Sequence, residues 1–282
     1  MSTPTEEDLA WLAGTYHFHP LAIEDCRHFN QRAKVEAYDG FLFLSLLAAE
    51  REDGVVHPHE MEVFLGPDYL ITVHREQLSA LEDVRAHFCG NREIKGHPDY
   101  LLWLIADHIV DNYFPLMDEM EDDIDDLEDA VLDNPTQATL QRIYALKRQL
   151  VLLRKITGPM RDVMNALAGT RYPSIDAHTA LYFRDAYDHL TRIYDLIETA
   201  RDLLSNALDA YLSTVSNRLS EIVKRLTLFT TIFMPISFLA GFGGMNFKQL
   251  PFDSPIAFSI LMSLLVITPI AMGIWFWRSK WV

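Results

Sequence analysis

Two stretches of this 282-residue sequence carry no charged side chain: 22 residues at 226–247 and 24 at 254–277. A helix rises about 1.5 Å per residue, so roughly 20 apolar residues cross the hydrocarbon core of a bilayer. Uncharged runs this long rarely occur inside water-soluble folds. The chain is therefore expected to be a membrane protein held by two closely spaced C-terminal spans. The first runs over 226–247 and the second over 255–277. An external loop at 248–254 joins them, and a cytosolic tail follows at 278–282.

Charge flanking the spans sets their expected orientation. Lys224 and Arg225 precede the first, Arg278 and Lys280 follow the second, and the loop holds only Lys248 and Asp253. The positive-inside rule puts both termini in the cytoplasm and the loop outside, in the inner (plasma) membrane of the cell. Trp275, Trp277 and Trp281 suit an aromatic belt at the inner interface. The acidic start of the chain has no apolar h-region, which argues against a cleaved signal peptide.

The net charge of −16 is unevenly shared. Residues 226–282 carry three cations against one anion, so residues 1–225 carry −18. Such a body repels nucleic acid and attracts cations. Cys26 and Cys89 stand far apart without metal spacing and read as reduced cytosolic thiols. No Walker loop, Gly-x-Ser-x-Gly or His-Glu-x-x-His motif suggests an enzyme.

Residues 1–95 read as a small α/β domain. Runs at 34–38, 41–47, 60–65 and 69–74 are rich in strand formers and are separated by Asp-Gly and Gly-Pro-Asp turn signals. Helices near 21–29 and 77–88 flank them. Residues 96–172 read as a helical hairpin. Met117, Met120, Ile124, Leu127 and Val131 repeat at 3-4 spacing. Asn-Pro-Thr at 134–136 breaks that arm, and Thr136 caps a second carrying Ile143, Leu146, Leu150 and Leu153. Nine of the twelve residues at 118–129 are Asp or Glu, a solvated face that also attracts cations. From 174 to 234 there are 61 residues without Gly or Pro, so a stalk helix (173–225) is expected to run without a stop into the first span. Val223, Thr227, Thr230, Met234, Ser237, Gly241 and Gly244 fall on one of its faces. Two spans cannot enclose an aqueous path, so a conduit requires several copies.

Gly244-Met245-Asn246, after the first of two terminal spans, resembles the signature of the CorA family of magnesium channels. Further blocks resemble that family in order along the chain: 19–25, 31–36, 182–189, 211–218, 233–241 and the terminal Lys280-Trp281. The resemblance implies a fold of α+β cytosolic domain, long helical stalk and two-helix transmembrane hairpin, assembled as a funnel-shaped homopentamer. It implies a selectivity filter at Gly244, Met245 and Asn246, and pore-lining positions at Ser220, Val223, Leu226, Met234, Ser237 and Gly241. It implies a regulatory Mg²⁺ site between subunits at Asp185, with Glu52 or Asp53 of a neighbour as partner and a further acidic position at Asp209. Divalent cations and the bilayer are the implied partners, Mg²⁺ is both substrate and regulator, and no prosthetic group is implied. The sequence departs from the family pattern in four places. Gly243 stands where Tyr is common, Gln249-Leu250-Pro251 replaces an acidic loop, Ser220 replaces Asn, and the C-terminal basic cluster is thin.

Two other functions stay open. A zinc (or Co²⁺/Ni²⁺) transporter of the same superfamily would draw on His17-x-His19 and His57-x-His59, each able to put two imidazoles on one side of a strand. A non-conducting membrane scaffold is the other.

Overall fold

The computed structural model describes residues 1–29, 31–88, 97–169, 171–245 and 254–279. These divide into two compact units, Met1–Tyr211 and Leu212–Val282.

Within the first unit, β1 (Lys34–Tyr38), β2 (Phe41–Glu52), β3 (Val55–Leu65) and β4 (Leu70–His74) form an antiparallel meander in chain order. The β2 and β3 strands outrun the apolar stretches that announce them, and the turn between them explains why. Asp53 and Gly54 both have positive φ, 50° and 77°. A two-residue loop of that kind matches the twist of its flanking strands. Pairing therefore continues to Glu52↔Val55, immediately beside the turn.

The first nine residues of β2 are buried without interruption, which requires cover on both sheet faces. One cluster holds Phe41, Phe43 and Phe64 with Phe18, stacked 4.1 Å from Phe64 between ring centroids. Residues of α1 (Glu6–Tyr16) and α2 (Pro20–Asp25) complete it: Leu9, Leu12, Ala22 and Ile23. The sequence reading missed α1. Its signal is the Thr5-x-x-Asp8 capping box, in which Thr5 Oγ1 accepts from Asp8 N and Asp8 accepts from Thr5 N.

The other cluster joins Leu42, Leu44, Leu46, Met61 and Val63 to α3 (Ser79–Phe88) and α4 (Pro98–Asp111), then continues through α5 (Tyr113–Asp133), α6 (Gln137–Ala168) and α7 (Ala177–Gly243). The expected hairpin is present as α5 and α6. All five seam residues of α5 are buried, as are Ile143, Leu146, Leu150 and Leu153 of α6. Each such side chain contributes about 1.5–3 kcal/mol relative to exposure. Thr136 is the N-cap of α6, accepting from Thr139 N at 3.2 Å.

Helix α7 spans 67 residues and belongs to both units. Phe183, Ala186, Leu190, Ile193, Ile197, Ala200, Leu204 and Ala207 form its buried stripe, which ends at Ala207. Beyond that residue α7 buries nothing of its own, and α8 (Pro255–Arg278) buries only Phe276. Both helices are long and apolar enough to cross a membrane, and the most apolar stretch of each is unburied within the chain. In the second unit a Cβ on Gly243 would stand 2.5 Å from Leu261 Cδ2. Gly243 is small because α8 approaches there.

Candidate functional site

Two places gather chemistry that suits a cation. The first is the exposed length of α7. Ser220, Val223, Leu226, Met234, Ser237 and Gly241 all lie on that helix and are exposed, Leu226 at 65% and Met234 at 69%. The hydroxyls of Thr227 and Thr231 donate to the carbonyls of Val223 and Thr227 one turn back, at 2.8 and 2.7 Å, and Thr230 donates likewise to Leu226. Their protons are satisfied internally, so the hydroxyl oxygens present lone pairs outward. Helix α7 carries Pro235 within it and ends at Gly243. Gly244 N then donates to the carbonyls of Ala240 and Gly241 at 3.0 and 3.2 Å, so Gly244 and Met245 directly follow the helix end. Asn246 lies outside the described residues, as do Lys248, Asp253, Lys280, Trp281 and Cys89.

The second place is a ridge between α4 and α7. Ligand atoms of Asp107, Asp111 and His189 lie within 4.8 Å of one another. Asp107 and Asp111 are one turn apart on α4, and Asp185 and His189 are one turn apart on α7. His189 Nδ1 is 3.6 Å from Asp111 Oδ1, and His189 Nε2 is 3.9 Å from Asp185 Oδ2. Phe114 meets the His189 ring edge-on. Partial burial pushes the Asp107 carboxyl above its usual range; the Asp111 charge adds to this and His189 opposes it. Such a group favours a proton, and a bound dication displaces it. Carboxylate oxygens suit Mg²⁺ and Ca²⁺, while the imidazole adds affinity for later transition metals.

Sequence reasoning reached Asp185 and missed Asp107, Asp111 and His189. The i, i+4 pair of aspartates on an otherwise apolar helix was the available signal. Asp185 is 67% exposed and finds its partner in His189. Glu52 ends β2 and Asp53 occupies the hairpin turn, both exposed, and neither is bonded to Asp185 within the chain. Asp209 is exposed on α7 beyond the ridge. Part of the acidic arm has a structural partner, since Arg51 pairs with Glu119 at 3.2 Å and with Asp123. His17 and His19 are not on a strand. His17 is the left-handed C-cap of α1, and His19 caps α2 through Nδ1. His57 and His59 do lie on β3. Cys26 is buried and free, and burial raises its thiol far above the reactive range.

A family model described as CorA-like Mg²⁺ transporter protein matches residues 1–278. The chain belongs to this family. The cobalt/magnesium transport protein CorA of Thermotoga maritima is 36% identical over 272 residues, covering 95% of this chain and 78% of that protein. The complete structure of the CorA magnesium transporter from Methanocaldococcus jannaschii has the same fold. Its TM-score is 0.90 at 24% identity, covering 100% of this chain and 90% of that one. The ZntB cytoplasmic domain from Vibrio parahaemolyticus also shares the fold, with a TM-score of 0.65 at 15% identity over 77% of this chain and 86% of that one. Membership of the CorA family accords with a long helix, α7, that is itself the first of two helices long and apolar enough to cross a membrane.

Proposed function

We propose that this chain conducts divalent metal ions across a membrane, Mg²⁺ first, as a homopentamer whose axis is lined by α7. Ions enter at a ring of Gly244, Met245 and Asn246 and pass Gly241, Ser237, Met234, Leu226, Val223 and Ser220. Residues 1–225 and the C-terminal tail face the cytoplasm. Mg²⁺ sheds water reluctantly, so a ring of neutral amides and carbonyls meets the hydrated ion without trapping it by charge. Cytosolic Mg²⁺ feeds back at the carboxylates around Asp185. The ridge residues Asp107 and Asp111 of the same chain, or Glu52 or Asp53 of a neighbour, complete that site, with Asp209 as a further acidic position.

One observation supports this reading most. The α7 surface that carries small and hydroxyl side chains is exposed in the chain and runs to the Gly-Met-Asn triplet. A surface so apolar needs lipid or other copies as cover, and its small, hydroxyl-bearing face suits packing around an axis. The test is metal flux into liposomes containing the purified protein, with Mg²⁺, Co²⁺, Ni²⁺ and Zn²⁺ supplied separately. Mg²⁺ flux is expected, with Co²⁺ included because a relative's name couples the two metals. Flux of Zn²⁺ alone, or none, would reject the Mg²⁺ reading.

A further inference from the structure

A cavity of 380 Å³ lies against the far end of the β2–β3 ribbon, and Glu50, Glu52, His57, His59 and Glu76 line it. The strand register explains the gathering. Glu50 opposes His57, Glu52 opposes Val55 and Ala48 opposes His59. Opposed residues share a face of an antiparallel pair, as do alternate residues along one strand. Glu50, Glu52, His57 and His59 therefore share one face. The β3–β4 pairing reaches Met61↔His74, so the two residues after His74 carry Glu76 to His59.

The chemistry of His59 gives this cluster its direction. Its side chain is only 9% exposed, and its Nδ1 is hydrogen-bonded by Glu76 Oε2. A carboxylate only accepts, so Nδ1 carries a proton and Nε2 is the nitrogen left to offer a metal its lone pair. Nε2 is buried and has no hydrogen-bond partner among the described residues. A ring whose first nitrogen is held by a carboxylate while the second stays free is the arrangement that metal-binding histidines adopt. His57 and Glu52 are exposed on the same face. Glu50 is committed elsewhere, accepting from Ser79 N and Oγ at 3.2 and 2.7 Å at the start of α3.

We propose that this face of the β2–β3 ribbon binds a transition-metal dication of the Zn²⁺, Co²⁺ or Ni²⁺ class. His59 Nε2, His57 and Glu52 are its ligands, and Glu76 orients His59. Closing the site takes rotation of the exposed His57 and Glu52 side chains toward the cavity. Two imidazoles and one carboxylate suit these borderline metals, whereas Mg²⁺ takes oxygen ligands and keeps its water. Its two histidines and Glu76 lie outside the α4–α7 ridge, it shares only Glu52 with the neighbour-side alternative for the Asp185 site, and it does not depend on the conduction reading.

The test is a titration of the full-length protein in detergent with Co²⁺, in a large excess of Mg²⁺ that occupies the oxygen sites. Visible absorption and calorimetry report binding. One Co²⁺ equivalent is expected to survive Mg²⁺ and to be displaced by Zn²⁺. His59→Gln should abolish it, and His57→Asn should weaken it at least about tenfold. Glu76→Gln, which alters only the carboxylate behind the ring, should weaken it about 10- to 100-fold. If His59→Gln fails to fold, the exposed His57→Asn variant decides. The proposal is overturned if wild type shows no Mg²⁺-resistant equivalent, if His57→Asn titrates like wild type, or if His189→Asn removes the equivalent instead.

Discussion

Glu62 sits fully buried in the middle of β3, where Ser45 Oγ donates to its Oε2 at 2.6 Å. Burial pushes its carboxyl up to about 9, the neighbouring Glu60 adds to the rise, and the Ser45 hydroxyl works against it. Folded Glu62 therefore keeps its proton at neutral pH while the unfolded chain releases it. Where the folded state binds more protons, stability falls as pH rises, here from the ordinary carboxylate range near 4.5 up to about 9. Glu62→Gln keeps the shape and the Ser45 partner but cannot ionise. Its melting temperature should exceed wild type by a few degrees at pH 8 and converge with it near pH 5; parallel melting curves across that range would show that Glu62 does not titrate. Asn246 carries a different expectation, about selectivity. Asn246→Ala removes the amide proposed to meet the hydrated ion, and Asn246→Asp adds about one negative charge per subunit and should over-bind it. Both should lose or distort Mg²⁺ flux while melting like wild type, and an unchanged ion ranking in both would leave the triplet a packing role. A local triplet singles out Asn246 in the sequence. Asp107, Asp111 and His189 were not legible there, because α4 and α7 bring together residues about 80 positions apart that share no local pattern.

Elements were more legible than sites, because they follow from short-range periodicity. The 3-4 seam of α5, the break at 134–136 and the cap at Thr136 all stand as the sequence foretold. So do the four strands, since β-branched and aromatic runs between Gly-bearing turns have few other solutions. The α1 helix escaped notice because its apolar stripe is short and only its capping box marks it. His17 and His19, which the zinc alternative would set on one side of a strand, instead cap two helices. The Thr136 cap makes an element-level prediction. Its hydroxyl accepts from Thr139 N, and Thr139 Oγ1 accepts in return from Thr136 N at 3.3 Å. Thr136→Ala leaves the Thr139 amide to water and should cost about 1 kcal/mol. For a chain of this size that lowers the melting temperature by roughly 2–4 °C. The order of ion fluxes should not change, because the α5–α6 turn lies outside both candidate cation sites.

At the scale of the whole molecule, one helix belongs to both compact units. The buried stripe of α7 ends at Ala207, and the apolar surface beyond it is expected to find cover in other copies. Native mass spectrometry of the detergent-extracted protein should give a pentamer, and a monomer or dimer alone would remove the conducting path. Such an assembly turns Asp185 into a sensor candidate. It lies in the first unit, 58 positions before the end of α7 at Gly243. Empty, the carboxylates of Asp185, Asp107 and Asp111 repel one another; a dication offsets that repulsion and favours whichever arrangement draws them together. A ligand shifts a two-state equilibrium only by its differential affinity for the two states, so removing a ligand group removes part of the shift. Asp185→Ala should therefore raise the internal Mg²⁺ concentration that halves the flux, by about tenfold, a coupling of ordinary size. Flux without internal Mg²⁺ should stay near wild type. Asp107→Asn and Glu52→Gln, measured in the same liposomes, identify the partner: the one that shifts the inhibition curve as Asp185→Ala does shares its cation. Superimposable inhibition curves for Asp185→Ala and wild type would leave Asp185 as a partner of His189 and nothing more.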